Sequence, residues 1–98
     1  MEDRNYLIIL YDYYGEILKD IEKKYFEEYY FDNLSLSEIA ANYNISRNAV
    51  HKHIKESEKK LLFYESKLSL YKKDIKIKKI INEVKDVNIK KQLLKLFD

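Results

Sequence analysis

The sequence predicts an all-α protein: a compact helical domain holding a helix-turn-helix, a long heptad-bearing fourth helix and a C-terminal helical arm. Three observations predict it. Proline is absent and Gly15 is the only glycine in 98 residues, which leaves few means of making the tight turns of a sheet. Apolar residues recur at spacings of three and four along most of the chain. The stretch from Leu36 to Ile54, LSEIAANYNISRNAVHKHI, reads as two short helices meeting at a corner.

The first helix is expected from Asp3 to Leu18, with Leu7, Leu10, Tyr14 and Ile17 along one stripe and Tyr6, Tyr11 and Tyr13 widening it. Gly15 falls inside the pattern, where the missing side chain suits close approach of another helix. Lys19 and Asp20 make a break. A second helix follows from about Ile21 to Phe31, with Ile21, Tyr25 and Tyr29 turned inward and Phe26 and Tyr30 as further inward candidates, and the pair Asp32-Asn33 ends it in a polar turn. The tyrosines follow helical spacing in an acidic segment that would repel phosphate, so they read as core rather than as a platform for stacking bases.

In the central motif, Ser37 and Glu38 suit the start of a helix, because a serine oxygen accepts from open backbone N–H groups and a carboxylate favours the helix N-terminus. Ile39, Ala40, Tyr43, Ile45, Val50 and Ile54 are expected inside, with Ala40 small because the next helix crosses there. Asn44 takes the corner, since asparagine tolerates the left-handed conformation. Ser46 caps the next helix. Its first exposed residues would be Arg47, Asn48, His51, Lys52 and Lys55, the positions from which such helices meet base edges and phosphates. The same run also suits a packing or protein-docking hairpin.

From Val50 the pattern continues through Ile54, Ser57, Leu61, Tyr64, Leu68 and Tyr71 at spacings of 4, 3, 4, 3, 4 and 3. That is a heptad seam, so the second helix of the motif is expected to run on as one rod to Tyr71, its second half packing on the first helix or pairing with another copy of itself. Leu61, Tyr64, Leu68 and Tyr71 are the expected homodimer seam, because a single helix-turn-helix reads few base pairs and commonly works in pairs. A corner is expected at Lys72-Lys73 with Asp74 capping. A fifth helix then runs through Ile77, Ile80, Ile81, Val84 and Val87, and Asn88 would cap a last one through Ile89, Leu93, Leu96 and Phe97.

The length allows one core that buries roughly two thirds of the chain's surface. We therefore expect a single domain over residues 1–98: N-terminal helices 1–34, helix-turn-helix 35–57, helix extension 58–71 and a basic arm 72–98. Net charge is only +2, but it is divided. Residues 1–45 carry 4 basic and 10 acidic side chains, residues 46–71 carry 6 and 3, and residues 72–98 carry 9 and 4. Basic later segments suit a polyanion, association between opposite halves, or simply a solvated lysine surface.

Catalysis has no foothold in the pattern. There is no cysteine, and His51 and His53 lie two apart on a helix and so point in different directions. Neither has a carboxylate four residues away, and one glycine makes no phosphate-cradling loop. The acidic pairs Glu27-Glu28 and Glu56/Glu58 read as exposed charges. We expect no enzyme activity and no cofactor. With no leader and no long apolar run, the chain is expected to be cytoplasmic, without membrane insertion.

The entry NYL…YDYYGEIL, the approach EEYYFDNLSLSEIA and the run ISRNAV resemble the YlxM-like family of small bacterial proteins, over about Arg4 to Tyr71. That family is itself similar to region 4 of sigma factors. The resemblance implies a sigma-region-4-like helix-turn-helix with no catalytic activity. It places Ser46, Arg47, Asn48, His51, Lys52 and Lys55 where a sigma-like recognition helix faces the major groove of DNA. It also implies a regulatory role in the signal recognition particle pathway, through gene neighbourhood; the partners it suggests are DNA, or the particle's RNA or GTPase. Lys19 departs from the family's usual threonine cap, and His51-Lys52-His53 stands where Tyr-Asp-Asn is common, making this face more basic.

Overall fold

The computed structural model describes residues 3–98, and all of its regular elements are helical. In order these are α1 (Arg4–Tyr14), a 3-10 turn (Gly15–Ile17), α2 (Asp20–Tyr30), α3 (Leu36–Tyr43), α4 (Arg47–Leu68), α5 (Leu70–Ile81) and α6 (Val87–Lys95). The chain divides into two units, Met1–Leu68 and Ser69–Asp98.

In the first unit α4 is the common partner, packing on α1, α2 and α3. The core is drawn from all four helices: Leu7, Leu10 and Tyr14, then Tyr25, Phe26 and Tyr30, then Ile39 and Ala40, then Val50, Ile54 and Leu61. Aromatic rings fill much of it. Phe26 stacks on Tyr11 with ring centroids 4.5 Å apart and on Tyr30 at 4.3 Å. Tyr14, Tyr25 and Tyr30 are thus packed interior, as the helical spacing implied, while Tyr6, Tyr11, Tyr13 and Tyr29 are half-buried.

Polar contacts fix how these helices meet. Arg4 donates to the carbonyls of Tyr29 at 2.8 Å and Tyr30 at 3.1 Å and to Asn33 Oδ1 at 3.2 Å, closing the C-terminus of α2 against the start of α1. Its guanidinium also lies over the rings of Tyr29 and Tyr30. At the start of α2, where Lys19 supplies no cap, Glu22 reaches back to accept the Lys19 N–H at 3.0 Å. The same buried carboxylate takes Lys60 of α4.

Several expectations are corrected. The α-helical part of α1 stops at Tyr14, and Ile17 is left 55% exposed because the 3-10 turn rotates it off the stripe. What lies closest over Gly15 is the ring of Tyr11 from its own helix, 2.8 Å from where a Cβ would sit. Ile21 is exposed and Tyr29 only half-buried. The long helix ends at Leu68, three residues short of Tyr71, where Ser69 turns left-handed with φ 55°. Lys72, Lys73 and Asp74 therefore lie inside α5 and form no corner. The last helix is capped by Asp86, which accepts from the N–H groups of Asn88 and Ile89, so Val87 and Asn88 are already helical.

In the second unit α5 and α6 pack on each other as a hairpin. Ile81 is its one buried apolar residue. No described helix is long and apolar enough to cross a membrane.

Candidate nucleic-acid interface

The central motif is positioned by backbone chemistry at three points. Ser35, two residues earlier than expected, caps α3: its Oγ accepts the Glu38 N–H at 3.1 Å while Glu38 accepts the Ser35 N–H at 3.0 Å. Glu38 is the residue the sequence pointed to, and its carboxyl is held below the usual carboxylate range by those Ser35 hydrogen bonds. Asn44 ends α3 with φ 53° and ψ 46°, and the next N–H, that of Ile45, returns to the Ala40 carbonyl at 3.1 Å. Ser46 then opens α4, its Oγ accepting the Ala49 N–H at 3.0 Å. Only Asn44, Ile45 and Ser46 separate the two helices.

With Ile39, Ala40, Val50 and Ile54 buried, the opposite side of α4 is left to solvent. Tyr43 and Ile45 are half-buried at the corner rather than fully inside. The Tyr43 ring meets Tyr25 edge-on at 4.9 Å and its hydroxyl donates to Glu28, which raises the phenol to about 12, the hydrogen bond counting first and burial second. The corner is therefore braced from α2.

Ser46, Arg47, Asn48, His51, Lys52 and Lys55 are all exposed. At 3.6 residues per turn the five from Arg47 to Lys55 fall within an arc of about 140°, a single face on the first turns of α4. Lys59, also exposed, lies on the same arc one turn beyond Lys55. The sequence reading missed it, although its spacing of four from Lys55 was a usable signal. Lys55 is engaged: its Nζ sits 3.3 Å from Glu58, whose other oxygen accepts the Tyr30 hydroxyl. A half-exposed pair of this kind contributes about 0–1 kcal/mol, so an incoming phosphate can displace the carboxylate. His53 faces inward against Tyr25, with ring centroids 5.4 Å apart, while His51 faces out.

The expected homodimer seam does not survive as a surface. Leu61 is 0% exposed, enclosed by its own chain, and Glu65, one turn further on and outside the expected seam, is buried and accepts the Tyr14 hydroxyl at 2.6 Å. Tyr64 is half-buried against Tyr14, and Leu68 alone is exposed. Tyr71 belongs to α5. From Val50 to Leu61 the heptad row is the core face of α4.

A family profile described as "Putative helix-turn-helix protein, YlxM / p13 like" matches residues 1–97. The chain belongs to this family, UPF0122. Among its relatives, a UPF0122 protein of Malacoplasma penetrans is 43% identical over 93 residues, 94% of this chain and 86% of that one. One from a Geobacillus species is 44% identical over 82 residues, covering 84% of this chain and 74% of the relative. A Listeria welshimeri member is 38% identical over 93 residues, 95% and 84% of the two chains. Membership agrees with the resemblance drawn from the entry, approach and corner residues, and with the helix-turn-helix built here by Ser35, Asn44 and Ser46.

Proposed function

We propose that this UPF0122 member is a non-enzymatic regulator that binds duplex DNA through the exposed face of α4, each copy of a homodimer reading one half-site. The observation that carries it is the arc of Arg47, Asn48, His51, Lys52, Lys55 and Lys59 on a capped helix whose other side is held by the core. Arg47 and Asn48, in the first turn, are the base-reading candidates; Lys52, Lys55 and Lys59 are phosphate contacts. The work is done in the cytoplasm, within the signal recognition particle pathway that the family resemblance implies.

A second reading is favoured by the other unit. Of its nine lysines all but Lys90 are exposed, and they would suit an adaptor docking on the targeting particle's RNA or its GTPase. Fluorescence anisotropy with random duplex DNA and with that RNA, at low and physiological salt, separates the two. DNA binding that collapses in an Arg47→Ala/Lys52→Ala double variant supports the first reading. RNA preference indifferent to that variant, but lost when the lysines of α5 are changed to glutamine, replaces it with the second.

A further inference from the structure

Arg4, at the start of α1, and Lys55, on the outward face of α4, line one cleft of about 550 Å³ together with Leu7, Glu58 and Leu62. All of it belongs to the first unit. The acids of its wall are already engaged. Asp3 caps α1 by accepting the Asn5 N–H at 3.2 Å, and Glu58 accepts the Tyr30 hydroxyl with one oxygen while the other lies 3.3 Å from Lys55 Nζ. The cations keep donors to spare. Arg4 bonds the carbonyls of Tyr29 and Tyr30 and the side chain of Asn33 through Nη2 alone, and among the described residues no carboxylate lies within ion-pair distance of it.

The cleft continues the candidate interface. At 3.6 residues per turn Glu58 and Leu62 fall within about 60° of Lys55 around α4, so the outward arc that begins at Arg47 runs into it. Lys55 is eight residues beyond Arg47, about 12 Å along the helix axis, a distance comparable with the roughly 12 Å width of a major groove. With Arg47 among base edges, the cleft therefore stands where the helix leaves the groove and a strand's phosphates pass.

We propose that this cleft is a phosphodiester seat: a backbone phosphate of the duplex bound on α4 is held between Arg4 and Lys55, with its sugar against Leu7 and Leu62, and Glu58 occupies Lys55 until the phosphate takes its place. The proposal rests on the DNA reading above and adds to it a contact from α1 and a competitor within the chain. The wall by itself is electrically balanced, Arg4 and Lys55 against Asp3 and Glu58; the excess that draws a phosphate comes from exposed Lys52 and Lys59 beside Lys55 on the same arc. Exchange is easy at Lys55, whose side chain is 52% exposed, and Glu58 keeps the hydrogen bond from Tyr30 when the ammonium leaves.

Anisotropy titrations of the full chain with random duplex DNA over a salt series test it, with the unfolding temperature of each variant measured alongside because Arg4 also closes the end of α2. Glu58→Gln, which still accepts the Tyr30 hydroxyl, should bind duplex about three- to tenfold more tightly at low salt, since a like charge and a rival for Lys55 are both gone. Arg4→Gln should weaken binding to all duplexes and reduce the salt slope by about one, whereas Arg4→Lys, which keeps the charge, should hold the slope. Asp12→Asn removes an equal charge further along α1, outside the cleft, and should leave binding as it is. A wild-type slope in Arg4→Gln, or a Glu58→Gln that binds no more tightly than wild type, overturns the seat and leaves the DNA reading standing. A chain that binds no duplex overturns both. If inorganic phosphate raises the unfolding temperature of the wild type but not of Arg4→Gln, while the two bind duplex equally, the cleft belongs to a free anion and the proposal fails.

Discussion

Lys60 of α4 places its ammonium 2.9 Å from both oxygens of Glu22, a carboxylate only 3% exposed at the start of α2. Burial alone would raise the Glu22 carboxyl, but the Lys60 hydrogen bonds and the Lys19 N–H outweigh it and hold the group below the usual carboxylate range. One side chain thus completes the N-terminus of α2 and anchors the helix that carries the candidate interface.

Removing the two partners should not cost the same. Lys60→Met strands a buried charge and should destabilise the first unit by about 3 kcal/mol; Glu22→Gln, which still accepts the Lys19 N–H and leaves Lys60 free to turn to water, should cost roughly half that. Because Glu22 is lowered in the folded state, its contribution is present at neutral pH and lost as pH falls through that lowered value. Thermal unfolding from pH 7 to pH 3 should therefore lose less stability in Lys60→Met than in wild type.

A second pH dependence lies at the alkaline end. Tyr11 and Tyr30 are pushed well above the ordinary phenol range, by burial first and then by Glu27 and Glu58, and Tyr43 is pushed up to about 12. Groups raised by folding stabilise it fully below their unfolded value of about 10, and that stability drains away as pH rises toward the folded values. Unfolding by denaturant should show falling stability from pH 10 upward, with a shallower fall in Tyr11→Phe and Tyr30→Phe. Equal slopes in wild type and variants would remove these phenols from the explanation.

Gly15 has ordinary helical backbone, so alanine there would normally stabilise. Here the added Cβ meets the Tyr11 ring, which is held by stacking on Phe26 and by its hydrogen bond to Glu27. Gly15→Ala should lower stability by about 1–3 kcal/mol. Tyr11→Ala/Gly15→Ala should then cost less than the sum of the two changes, and an additive result in that cycle would show that the ring is not the obstacle.

On the candidate interface, Lys52→Ala and Lys59→Ala should each weaken binding to all duplexes alike and reduce the salt slope by about one. Arg47→Ala should instead relax sequence preference, by ~1–3 kcal/mol for each base edge it no longer reads. Anisotropy titrations over a salt series, on selected and scrambled duplexes, read both effects. A Lys59→Ala slope identical to wild type would end the DNA-bound arc at Lys55.

The central motif was legible because its signals are local. Asn44 at the corner, Ser46 three residues before the N–H it caps, and the apolar positions around them act within one turn of chain. The same locality misled at Ser37, since Ser35 competes for the same role and only the Glu38 partnership, three residues from Ser35, decides between them. The acidic residues were least legible. Glu27, Glu28 and Glu58 read as solvated charges, yet each accepts a tyrosine hydroxyl from another helix, sixteen, fifteen and twenty-eight residues away in sequence.

From its sequence alone this chain determined an all-α fold, the helix-turn-helix and the outward face of Arg47 to Lys55, because helical period and capping are properties of neighbouring residues. Tertiary structure decided what each face meets. Spacing alone cannot distinguish a helix seam that binds a second copy from one that α1 and α2 already cover, so Leu61 and Glu65 were assigned only when the core closed over them. The left-handed turn at Ser69, with neither glycine nor proline to announce it, likewise ended the long helix.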